Sequence, residues 1–149
     1  MKILQIGNKE YKIEYSIEAS LYADCTEKVT ELFANIAEAR SKDGIKNIIK
    51  AMSNIPQTTL HMFHAGLLEH EENWDMSKTK SVVKQYLSEH KNDETGNFYG
   101  LMEILIEEMS NDGFFELIGL DKMFAPAKKQ PKLPQDHKKK QNETKVTEN

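Results

Sequence analysis

Apolar residues in this chain keep two rhythms. Near the start they alternate with polar ones; farther along they return at every third or fourth position. The first rhythm is that of a half-buried strand and the second that of an amphipathic helix. Leu4 and Ile6 share one face of a first short strand, with Ile3 and Gln5 on the other. Gly7-Asn8 supplies residues that tolerate the positive φ of a tight hairpin turn. Tyr11, Ile13 and Tyr15 then alternate with Lys12 and Glu14 in a second strand. Their apolar face is expected to lie against the first helix, because an uncovered two-stranded sheet is marginal in water.

Ser16 stands where an N-cap is needed, and the helical period starts directly after it. A first helix is predicted over residues 17–39, with Val29, Leu32, Phe33 and Ile36 as its stripe and Leu21 and Cys25 extending it upstream. Ser41-Lys42-Asp43-Gly44 should end it. A short second helix follows, striped by Ile45, Ile48, Ile49 and Met52, and Asn54-Ile55-Pro56 resets the backbone. Pro56 suits the first turn of a third helix, whose inner face is Leu60, Phe63 and Leu67. That helix runs out in Glu69-His70-Glu71-Glu72. A loop carrying Trp74 leads to a fourth helix over residues 77–89, with Val82, Val83, Tyr86 and Leu87 inward.

Residues 90–96 lack periodicity and read as a loop. The fifth helix has the clearest pattern, Phe98, Leu101, Met102, Leu105, Ile106 and Met109, and stops at Asn111-Asp112-Gly113. Phe114, Phe115, Leu117, Ile118 and Leu120 are expected to cap the core in one or two turns. The predicted fold is mainly α, a short N-terminal β-hairpin packed on about five helices, as one domain over residues 1–124. Residues 125–149 contain Pro126, Pro131 and Pro134 and little that could be buried, so they read as a disordered tail.

Charge sharpens this division. Residues 125–149 hold seven Lys against three acids, a net of +4; taking that from the total of −4 leaves −8 for residues 1–124. An acidic body argues against nucleic-acid binding, which needs clustered cations, and a Lys run is usually a solvated segment. The single cysteine, Cys25, excludes an internal disulfide and fits a reducing compartment. No apolar run is long enough for a membrane span, so the expectation is a cytoplasmic protein.

Candidate chemistry is sparse. His61 and His64 are one helical turn apart and could offer two imidazoles to a metal, but His70 projects roughly opposite and no third ligand accompanies them. The segment Asn92-Asp93-Glu94-Thr95-Gly96-Asn97 superficially resembles a calcium loop, yet lacks the alternating acids and the distal bidentate Glu. Cys25 lies well inside a helix and reads as a small core residue. Of the aromatic pairs Phe98-Tyr99 and Phe114-Phe115, each would leave one ring beside its helical stripe. No catalytic, cofactor-binding or metal-ligating residue is assigned, and an enzyme is not expected.

The opening IGNKEYKIEYSIEASLYADCTEKVTELF resembles the start of tail assembly chaperones from long-tailed phages and prophages of Gram-positive bacteria. Further stretches carry the resemblance: Ile55-Pro56-Gln57-Thr58-Thr59-Leu60, residues 62–69, Thr95-Gly96-Asn97-Phe98-Tyr99 and Asp112-Gly113-Phe114-Phe115. It covers residues 1–124 and a lysine-rich ending. What it implies is a non-enzymatic chaperone in the host cytoplasm. Such proteins coat the helical tape-measure protein, keep it soluble and help bring tail-tube subunits to it. Many are also made in a longer, frameshifted form. Amphipathic helices in a charged body suit such a role, and also suit self-association into a homo-oligomer. The alternative is a prophage-encoded regulatory or adaptor protein that binds helices in a groove.

Overall fold

The structure is a computed structural model that describes residues 1–39 and 44–123. The tail expected to be disordered therefore lies outside the described residues, as does most of the break predicted at Ser41-Lys42-Asp43. Two strands, β1 (Lys2–Ile6) and β2 (Lys9–Ile13), pair antiparallel with Leu4 opposite Tyr11. Leu4, Ile6, Tyr11 and Ile13 turn inward, while Ile3 faces solvent. Gly7 supplies the left-handed residue of the turn at φ 60°, and its N–H donates to Glu89 Oε2 at 3.0 Å.

Seven helices follow among the described residues: α1 (Ile17–Leu21), α2 (Ala23–Glu38), α3 (Gly44–Leu67), α4 (Met76–Glu89), α5 (Phe98–Asn111), α6 (Phe114–Leu117) and α7 (Leu120–Met123). The mainly helical architecture with an N-terminal hairpin is as the sequence predicts. Caps also fall where short polar side chains allow. Ser16 accepts from the Glu18 N–H, Asp75 from Lys78 and Asn97 from Gly100. Asn97 thus belongs to a helix start, and the resemblance of its loop to a calcium site has a structural explanation.

Three expectations are corrected. The first helix is not continuous: Tyr22, at φ −80° and ψ 92°, caps α1 and starts α2. Its ring leaves the helical path to pack on His61 and His64, with centroids 5.8 and 4.9 Å away. The bend changes the phase, so Ala19 is the buried residue of α1 and Leu21 is 72% exposed. Second, the predicted second and third helices are a single helix of 24 residues that runs through Pro56. Proline gives no N–H to the Met52 carbonyl, but Met52 lies on an exposed face where water can take that role. Packing on α2 spans both halves. Ala39 meets Gly44, Glu31 pairs with Lys50 at 3.6 Å, and Tyr22 bonds His61. That shared support outweighs the local preference for a break.

Third, the hairpin packs on α3 and α4 rather than on the first helix. The Glu14 N–H donates to the Gly66 carbonyl at 2.9 Å, and the Tyr15 hydroxyl donates to the Met62 carbonyl at 3.0 Å. The core runs from this contact through Phe63, Leu101, Leu105 and Met109 to Phe114, all fully buried. Phe115 is half-buried and meets Phe33 edge to face at 5.4 Å.

A charged clamp closes the open end of the hairpin. The Met1 ammonium lies 2.6 Å from Glu108 and 2.9 Å from Asp112, and the other Asp112 oxygen accepts from the Tyr15 N–H. Hydrogen bonding to Glu108 and then Asp112 raises the ammonium pKa from 8.0 to about 10. A raised pKa means the folded state holds this proton more tightly, so the contribution is complete below pH 8 and is lost as pH climbs towards 10. Urea midpoints measured across that window should fall for the wild type, and fall less for Glu108→Gln.

Candidate binding surface

Two places could carry chemistry or binding, the histidine pair and the first half of α3. The histidines are drawn into the body by the elements around them. His61 Nδ1 lies 2.8 Å from the Tyr22 hydroxyl, and His64 Nδ1 lies 2.9 Å from Thr79 Oγ1. Thr79 also accepts the indole N–H of Trp74 at 2.8 Å. His70 bonds Glu14, on the hairpin side, and does not join them. Among the described residues no group of three or more His, Cys, Asp or Glu is placed to hold a metal. The pair works as a polar seam joining α2, α3 and α4.

Burial holds both imidazoles below their ordinary value; for His64 the neighbouring His61 adds to the effect, while Asp75 and Asp24 oppose it. The unfolded chain then takes up protons first, so stability should decline as pH falls through about 6.5. His64→Gln should flatten that decline, as measured by denaturant midpoints between neutral and mildly acidic pH. Cys25 is fully buried and its thiol is pushed up to about 12 by burial. It should stay unmodified by an aromatic disulfide reagent until the protein unfolds.

The first half of α3 stands apart among the described residues. Its seam towards α2 is built from small or polar side chains, Gly44, Asn47 and Ala51, before Ile55. Facing that seam, Asn35 of α2 is buried, and its Nδ2 has no hydrogen-bond partner among the described residues. The apolar stripe that the sequence predicts for this segment is turned outward. Ile45 is 77% exposed, Ile48 47%, Ile49 62% and Met52 63%. Ile36, the last residue of the stripe predicted for the first helix, is 51% exposed at the adjoining end of α2.

Helical phase explains the arrangement. Ile45 and Phe63 are 18 positions apart, five turns at about 3.6 residues each, and so are Ile49 and Leu67. The two halves of α3 therefore present one continuous apolar face. Its second half is covered. The Phe98 carbonyl accepts from Thr59 Oγ1 at 3.2 Å, and Leu60, Val83, Leu87 and Phe98 line a shared groove between α3, α4 and α5. Because α5 begins at Phe98, beside Thr59, its cover stops there, and among the described residues the first half of the face continues bare. Pro56 lies on this face and leaves the Met52 carbonyl without its intrahelical donor. A second apolar groove, lined by Phe33, Ile106, Phe115 and Leu120, lies between α2, α5 and α7 with Glu116 and Asp121 at its rim.

Sequence reasoning found the residues of the bare face as helical stripes but not what those stripes face. Periodicity reports that a helix has an apolar stripe, not what covers it. Tyr99, 54% exposed, is the ring that Phe98-Tyr99 leaves outside. Among the described residues no helix is long and apolar enough to cross a membrane. No known protein family, curated protein or solved structure matches the chain.

Proposed function

We propose that this chain is a phage tail assembly chaperone that binds helical segments of a tape-measure protein in the host cytoplasm, keeps them soluble and helps bring tail-tube subunits to them. The bare half of α3 carries the reading. Four large apolar side chains, Ile45, Ile48, Ile49 and Met52, stand exposed on adjacent turns along one face of α3, and Ile36 is exposed near the C-terminal end of α2. Scattered surface apolar residues are ordinary, but a contiguous set marks an interaction surface. The stripe already packs helices over its second half, so another amphipathic helix laid along the first half would meet the same spacing. The sequence resemblance to the chaperone family supplies the identity of that helix.

The test is co-expression with the tape-measure protein encoded beside it. The wild-type chain should keep most of the tape-measure protein soluble, and Ile48→Asp combined with Ile49→Asp should send it to the pellet. Both sites are exposed, so the variant's own stability should change by less than about 0.5 kcal/mol per site. A tape-measure protein that precipitates equally with and without the wild-type chain, with no complex recovered at any salt, overturns the proposal.

A further inference from the structure

We infer that the helix taken by the bare half of α3 is amphipathic with acidic flanks, an inference that rests on reading this face as a docking surface. Two observations carry it. The face continues the one that α4 and α5 cover between Thr59 and Leu67, so its occupant has the shape of a helix. The second observation is charge. α3 holds no Asp or Glu in its 24 residues, whereas each of the other described helices holds at least one.

The charged side chains of the bare half are Lys46 and Lys50, both exposed. Lys50 is shared with Glu31 of α2 at 3.6 Å, while Lys46 makes no ion pair among the described residues. On the helical wheel Lys46 follows Ile49 by about one-sixth of a turn, at the edge of the stripe. A partner helix seated on Ile45, Ile49 and Met52 thus brings its own flank to Lys46, and a carboxylate there meets a cation without a competing acid on α3. A second copy of this chain would bring the same acid-free helix and set lysine against lysine. Continuity with a helix-packed face likewise favours a helix over a lipid surface.

The experiment uses the full chain and two labelled helical peptides of about 21 residues, long enough to span the bare half. Both carry the same leucine stripe; one has Glu and Gln at its polar positions, the other Lys and Gln. Fluorescence anisotropy at low salt should show the Glu peptide binding about ten-fold more tightly or better, with the gap narrowing as salt is raised to about 0.5 M. Lys46→Glu should reduce the preference, and Ile48→Asp with Ile49→Asp should remove binding of both peptides. Equal binding of the two peptides overturns the acidic-flank inference while leaving the docking surface in place. Undiminished binding by the double aspartate variant overturns the location. Two further results overturn the inference by assigning the face elsewhere: capture of anionic phosphatidylglycerol vesicles with neither peptide bound, or a stable dimer in sedimentation that the double aspartate variant dissolves.

Discussion

Ile13→Ala is expected to lower stability by about 2–5 kcal/mol, the cost of deleting large buried side chains where neighbours cannot close the space. Ile13 is fully buried at the end of β2. Its neighbours are fixed by independent bonds, because the backbone one residue on is pinned to Gly66 and Tyr15 is held by its hydroxyl on Met62. A cavity there cannot be filled by simple sliding of the strand. Losing Ile13 also loosens the joint between hairpin and α3, and the hairpin has little stability of its own. Urea unfolding followed by circular dichroism would measure the shift in midpoint. A change below about 0.5 kcal/mol, typical of a surface position, would mean that β2 does not pack on α3.

The hairpin shows how local chemistry and long-range packing divide what is legible. Alternation identified both strands and the inward face of the second, because a strand exposes its period in five residues. The element that covers it was not legible. Ser16 leads directly into a helix, so the local pattern points to the neighbour in sequence. Yet the side chain that decides the matter is absent: Gly66 lets β2 approach α3 closely, and a lone glycine in a helical pattern gives no hint of what it admits.

Tyr22 and Pro56 show the opposite kinds of error. At Tyr22 the apolar period runs on smoothly while the backbone breaks and the ring seats on His61 and His64. At Pro56 the residue announces a break that does not occur, since α2 supports both halves of α3 and the freed carbonyl faces outward. Reading α3 as two helices also hid the candidate surface. Only a continuous helix carries the face of Phe63 and Leu67 five turns back to Ile45 and Ile49. Each residue of that face was visible in the sequence; its exposure depends on where α5 begins, which no local pattern near Ile45 records.

Gly66 provides the second large effect. A Cβ at this position would stand 2.6 Å from Ile13 Cγ2 and 3.3 Å from the Tyr15 ring, closer than carbon atoms pack. Gly66→Val adds two further methyls to that clash, and overpacking of this kind costs about 1–3 kcal/mol or more. The helix itself would prefer a residue with a Cβ by somewhat under 1 kcal/mol, too little to offset the crowding. Removing the obstacle should reverse the balance. In an Ile13→Ala background the nearest atom facing Gly66 is gone, so Gly66→Ala should cost clearly less than it does in the wild type. The double-mutant cycle is therefore expected to show a favourable coupling of about 1 kcal/mol or more between the two sites. Strictly additive effects would mean that the strand and helix are farther apart than this contact requires, and that the hairpin is held by its hydrogen bonds to Gly66 and Met62 alone.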